Sequence, residues 1–159
     1  SKRKELGFVR IVVQRVRRAA LTANGEPGDA MQRGILAMVG LQEGDDDVQV
    51  MQYMLDKLVH LRIFEDEQGK MNLSIADQGL ALFLVSNFTL YGDCRHGRRP
   101  SYSSAAPIEK ASAIYEAFVA YAREHAPVPV YSGVFQADMQ IETQLDGPVT
   151  LLLDSQKEF

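Results

Sequence analysis

Apolar positions along this chain change period several times, and each change marks an element. From Phe8 to Val16 the residues Val9, Ile11, Val12 and Val13 are β-branched and alternate or run together, which predicts a strand. Ala19 to Ala23 reads as a short second strand, and Asn24-Gly25, with Pro27 and Gly28 just beyond, is a turn signal that suits a hairpin or meander. Ile35 to Leu41 is an unbroken apolar run of strand length, best placed inside a sheet with both faces covered. The period then lengthens. Val48, Met51, Met54, Leu55, Leu58 and Val59 recur every three or four positions behind Asp45 and Asp46, predicting a helix with carboxylates at its N-terminus. His60 at its end reads as structural.

Ile63 to Asn72 places an acidic turn ending in Gly69 between two candidate strands, and Leu80 to Phe88 is a second buried strand. A second long helix starts near Pro107, carries Ala111, Ile114, Tyr115, Phe118, Val119 and Ala122 on one face, and stops at Pro127 and Pro129. Tyr131 to Gly133, Ala137 to Gln144 and Val149 to Leu153 read as strands again, the last two separated by Leu145 to Pro148. Strands interrupted by two helices predict an α/β chain of mixed sheets with both helices on one side.

With 159 residues the chain is expected to form one domain, residues 9–159, behind a flexible basic extension over 1–8. Cys94 has no second cysteine to pair with, and no Cys/His spacing suits a metal. The chain shows neither a signal-peptide pattern at Ser1 to Arg10 nor an apolar run long enough to span a membrane, so a cytoplasmic location is expected. A formal charge of −4 argues against a domain that coats nucleic acid with its whole surface. The charges are segregated, however. Basic clusters at Lys2 to Arg10, Arg15 to Arg18 and Arg95 to Arg99 contrast with acidic ones at Glu43 to Asp47 and Glu65 to Glu67, which would let one face meet phosphates.

The stretch LVSNFTLYGDCRHGRRP, from Leu84 to Pro100, runs from a buried strand through Ser86, Asn87 and Thr89 into a loop bearing Arg95, Arg98 and Arg99. A rigid strand that delivers hydroxyl and amide groups to a positively charged rim suits a phosphate-bearing ligand. The same pattern also describes an ordinary amphipathic strand followed by a surface turn.

Read together with GRRPSYSSAAP and DGPVTLLLDS, that stretch resembles the D-aminoacyl-tRNA deacylase family, known in earlier usage as D-tyrosyl-tRNA deacylase. The similarity runs in order from about Val9 to Ser155 through VVQRV, LRIFEDEQGKMNLS, SNFTLYGD, IYEAFV and ADMQ. It implies a homodimer with a three-layer β/β/α fold, in which the Gly147-Pro148 loop of each subunit enters its partner's active site. The substrate implied is aminoacyl-tRNA, cleaved at its ester without metal or organic cofactor. Two positions depart from the family pattern: Asn87 stands where Gln is usual, and Leu145 where Asn is usual two residues before the Gly-Pro. Relatives of this type are read as working mainly through backbone groups and the substrate's own ribose hydroxyl, so the departures bear on detail rather than on function.

The resemblance also assigns roles. Backbone amides from Ser86 through Asn87 and Phe88 to Thr89 are candidates for stabilising the oxyanion. No evident base partners the Thr89 hydroxyl, which favours positioning over nucleophilic attack. Gly147 and Pro148 would form a rigid wall against L-configured side chains, a filter that cannot exclude glycine. Met139 and Gln140 are candidates for lining the adenosine pocket, and Arg98 and Arg99 for holding phosphates. Phe88 and Tyr102 could stack on the terminal adenine, although core packing is the ordinary reading of such aromatics. Cys94 and His96 read as incidental. Two other functions fit the same motifs: a deacylase of relaxed chirality, and a silent tRNA-binding dimer.

Overall fold

The computed structural model describes residues 8–42 and 48–159. Of the expected basic extension over 1–8, residues 1–7 lie outside the described residues, as do the expected capping carboxylates Asp45 and Asp46, while Phe8 already belongs to the first strand. The elements are β1 (Phe8–Ala23), β2 (Glu26–Met31), β3 (Gly34–Gln42), α1 (Val48–His60), β4 (Phe64–Glu65) and β5 (Met71–Leu73), then α2 (Ile75–Gln78), β6 (Ala81–Ser86), α3 (Ile108–His125), β7 (Val130–Ser132) and β8 (Met139–Asp154). A 3-10 turn over Phe88–Tyr91 follows β6 directly. The main sheet has six strands in the order β2-β1-β3-β6-β7, with β8 also paired to β1.

β1 is one strand of 16 residues, where the sequence suggested two. Its alternation breaks at Arg17 and Arg18, both exposed, and there its register with β8 shifts. Before the break Val9, Ile11 and Val13 face one core; beyond it Ala19 and Leu21 face the other. An irregularity of this kind bends a strand and changes which side chains face inward. The expected break at Leu145 to Pro148 is likewise a bulge within a continuous β8, four residues opposite Arg15, and its Gly147-Pro148 peptide is cis. β3 and β6 are parallel neighbours covered on both faces, as their unbroken apolar runs predict.

Both long helices pack on the same face of the sheet, against Ile35, Ala37, Val39, Leu82 and Leu84. In α1 the expected stripe from Met51 to Val59 is buried, but Val48 at the helix start is 61% exposed. All six expected apolar positions of α3 are buried. The opposite face is covered by the far half of β1, by Met31 of β2 and by Met139 and Ile141 of β8, which close over Leu36, Phe83 and Val85. A third helix, α2, escaped the periodicity because it is one turn long; a capping box between Ser74 and Asp77 forms it, and Gly79 ends it in the left-handed region.

The β3–β6 seam leaves no space at Gly34, where a Cβ would lie 2.0 Å from the Ala81 carbonyl oxygen. Gly34→Ala is expected to destabilise the protein by about 1–3 kcal/mol through overpacking. Urea unfolding should show a lower midpoint at unchanged slope; an unchanged midpoint would mean that the two strands part freely.

Candidate active site

β6 and β7 run parallel, so the chain leaves both at the same edge of the sheet. Ligand crevices in such sheets form at the carboxyl ends of the strands. Here the segments that follow, 86–91 and 133–138, enclose a cavity of about 610 Å³, within the usual range for a small-ligand pocket. Ser86, Asn87, Phe88, Thr89 and Met139 line it, together with Met38, Phe135, Gln136 and Asp138.

The buried phenol of Tyr115 on α3 holds the two segments together. Its hydroxyl donates to the Leu84 carbonyl at 3.0 Å and lies 3.5 Å from that of Gly133, while the Gly133 amide donates to Leu84 at 2.8 Å. Burial pushes the Tyr115 hydroxyl well above the ordinary phenol range, with the Glu116 charge adding to it and the backbone amides of Gly133 and Ser86 opposing. A proton held that firmly serves as a fixed hydrogen-bond donor rather than an acid.

The turn after β6 settles which amides are available. Asn87 donates its amide to Val39 of β3 at 2.7 Å, and the amides of Leu90 and Gly92 close the turn onto Asn87 and Thr89. Ser86 is the last residue of β6 and pairs with Val39 of β3. Among the described residues no backbone carbonyl accepts from Phe88 or Thr89, the first amides of a helical turn, which lack an internal partner. The turn lies directly on β3, because a Cβ at Gly40 would stand 2.8 Å from that of Leu90. Within the turn the Thr89 hydroxyl donates to Oδ1 of Asn87 at 2.5 Å.

The other sequence candidates are distributed around this centre. Phe88 and Tyr102 are not core residues: they are 59% and 41% exposed and meet edge to face with centroids 5.3 Å apart. Phe88 belongs to the turn rather than to β6, which ends at Ser86. Gln140 is exposed between the inward-directed Met139 and Ile141, and does not line the cavity. Arg98 and Arg99 are exposed on the basic loop, as are Cys94 and His96. Gly147 and Pro148 are exposed at the β8 bulge and lie outside their own chain's cavity.

The bulge has an anchor that the sequence reading passed over. Arg15 is 7% exposed, donates to the Ile63 carbonyl at 2.6 Å and to the Asp146 carbonyl at 3.2 Å, and pairs with the Asp146 carboxylate at 3.3 Å. Its guanidinium would be 3.2 Å from a Cβ at Gly147. An arginine in phase with Val9, Ile11 and Val13 was the available signal, since a charge at a core position requires partners. Among the described residues no three metal-ligating side chains cluster, and no helix is long and apolar enough to cross a membrane.

At the root of the basic loop Asp93 accepts from Nε and Nη2 of Arg95, at 2.9 and 2.8 Å, and from the Arg95 amide at 3.0 Å. These bonds, with the Arg95 charge, hold the Asp93 carboxyl at about 2 instead of its ordinary 3.8. A depressed folded-state value means that the clasp contributes above pH 3.8 and is lost as the pH falls toward 2. Titration of the Asp93 carboxyl carbon by NMR should give a midpoint near 2, and Arg95→Ala should return it toward 3.8. An ordinary midpoint in the unaltered protein would remove the clasp from the loop's description.

Comparison with known proteins finds relatives over nearly the whole chain. A family model described as D-Tyr-tRNA(Tyr) deacylase matches residues 12–154. A D-aminoacyl-tRNA deacylase of Koribacter versatilis is 50% identical over 151 residues, covering 95% of this chain and 100% of the relative. Its counterpart in Fervidobacterium nodosum is 49% identical over 152 residues with the same coverage. Among solved structures, a c-Myc DNA Unwinding Element Binding Protein superposes with a TM-score of 0.83 at 38% identity, covering 91% of this chain and 97% of the other. One described as a probable eukaryotic D-amino acid tRNA deacylase shares the fold, with a TM-score of 0.78 at 16% identity over 92% and 99% of the two chains. With a family model spanning nearly its whole length and relatives at half identity, this chain belongs to the D-Tyr-tRNA(Tyr) deacylase family.

Proposed function

We propose that this chain hydrolyses the ester of D-aminoacyl-tRNA, releasing the free D-amino acid and tRNA, and that it also cleaves glycyl-tRNA while sparing the L-forms. The observation that carries the reading is the pair of unengaged amides, Phe88 and Thr89, on a turn that lines a cavity of about 610 Å³. An aminoacyl ester is already activated, so two fixed N–H donors, a bound ribose and a water molecule suffice for attack on its carbonyl. Donors of this kind contribute roughly 10²–10³-fold each to the rate. The vicinal ribose hydroxyl of the terminal adenosine assists the water, and no cofactor enters. Thr89 positions: its hydroxyl is committed to Asn87, a shorter amide than the family's usual glutamine but one that reaches it.

The chiral filter needs a second copy of the chain. Gly147 and Pro148 stand exposed at a bulge that Arg15 holds from beneath. β8 pairs with β1 along one edge only, and the exposed Leu145 and Leu152 flank the bulge. A homodimer formed there would complete the β/β/α layering and place the Gly147-Pro148 loop beside the partner's substrate. A wall made of backbone cannot yield by changing rotamer, so it rejects an L side chain by contact while glycine passes. Arg98 and Arg99, exposed on the loop beyond the Asp93 clasp, supply phosphate contacts. Exposed Phe88 and Tyr102 provide a stacking platform at the cavity rim.

Purified protein with D-tyrosyl-, L-tyrosyl- and glycyl-tRNA is expected to release amino acid from the first and third only. Release from all three would replace this reading with a deacylase of relaxed chirality, and release from none with a tRNA-binding dimer. Thr89→Ala, which keeps both amides, should lower the rate less than about tenfold, because a positioning hydroxyl contributes less than an oxyanion donor. Loss of all turnover with tRNA binding intact would make the hydroxyl the nucleophile.

A further inference from the structure

Gln136 is among the residues that line the cavity, and the fold does not use its side chain. Its φ of 66° lies in the left-handed region, which glycine occupies at least cost. Asn24 and Lys157 are the other non-glycine residues at positive φ among those described. Asn24 occupies a hairpin turn, where asparagine is commonly tolerated, and Lys157 follows the end of β8. Gln136 alone of the three stands at the cavity.

The loop imposes this conformation from both sides. Gly133 is tied to Leu84 at 2.8 Å, and the Ala137 amide donates to Val134 at 3.3 Å. Asp138 donates to Oδ1 of Asn24 at 2.9 Å and receives the Asn24 amide at 2.8 Å. None of these bonds uses the Gln136 carboxamide, which is exposed and takes no hydrogen bond in the structure. Backbone strain held by its surroundings at a ligand pocket points toward a role for the residue that bears it.

The chemistry of the pocket narrows that role. Its walls are largely apolar, with Met38, Val85, Phe135, Met139 and Ile141 among them, which suits the flat face of a nucleobase. A carboxamide presents a donor and an acceptor side by side. That pair complements the adenine edge, where the N6 amino group donates beside the N7 acceptor; guanine offers two acceptors there. The geometry points to Gln136 as a base-reading residue that bonds the adenine of the substrate's terminal nucleotide, an inference that rests on the proposed RNA substrate. Reading the base fixes the attached ribose, and so holds the ester before the Phe88 and Thr89 amides in one orientation.

The test uses binding rather than turnover. Uncharged RNA minihelices ending in CCA or CCG are titrated into the full-length protein and into Gln136→Gly and Gln136→Glu, and each protein is melted. The unaltered protein should prefer CCA by about tenfold, one good discriminating pair. Gln136→Gly should melt at a higher temperature, because glycine is at ease at this φ, yet lose the preference. Gln136→Glu should lose it too, since a carboxylate cannot donate to the ring nitrogen. A merely structural residue would not gain stability and lose base preference together. No preference in the unaltered protein, or one that survives in Gln136→Gly, overturns the inference. Preference without release of D-amino acid sinks the deacylase reading alone, and hydrolysis without preference sinks the base-reading role alone.

Discussion

A strand hydrogen-bonded along both edges can redirect its side chains only where its alternation breaks, and in β1 that break falls at Arg17 and Arg18. β3 and β2 take one edge in succession while β8 follows the other almost throughout. One strand therefore supplies both hydrophobic cores, through Val9, Ile11 and Val13 on the helix-covered face and Val16, Ala19 and Leu21 on the face closed by β8. Beside the break Arg15 occupies a core position and ties together three parts of the chain: β1, the Ile63 carbonyl ahead of β4, and the Asp146 side of the bulge. A buried guanidinium is tolerable only with all such partners present, so the shape of the bulge and the burial of the arginine stand or fall together.

The second constraint lies at the far end of the sheet, where β6 stops and its last hydrogen bonds pass to α3. The Tyr115 hydroxyl holds the end of β6 beside the start of the 133–138 segment, so the helix layer sets the width of the cavity. Everything that the proposed chemistry needs is then provided by main chain: two amides in a turn seated on β3, with side chains serving orientation and recognition. On the basic loop Asp93 neutralises Arg95 and leaves Arg98 and Arg99 to the solvent.

Much of this was legible in the sequence because burial writes a period. The unbroken apolar runs of β3 and β6 and the stripes of α1 and α3 are direct consequences of which faces are covered. The polar run from Ser86 to Thr89 stood out because it interrupts such a strand. The remainder depends on adjacency in space. Arg17 and Arg18 look like the end of a strand until β8 is laid beside them. The bulge at Gly147 looks like a turn until Arg15 is found beneath it, and Phe88 and Tyr102 look like core until the turn carries them outward. Gln136 itself gave no signal, because only the parallel pairing of β6 with β7 brings the two loops to one end of the sheet.

Gly40 carries a last consequence. The turn after β6 rests on β3 at Gly40, where there is no side chain to hold it away. The site's tolerance is thereby inverted with respect to the usual expectation of enzymes. Asn87 on the turn departs from the usual glutamine while its amide stays bonded to Val39, whereas a side chain at Gly40 of β3 would displace the turn itself. In a comparison of diverged relatives, the signature of preserved activity would be found in the floor beneath the motif rather than in the motif.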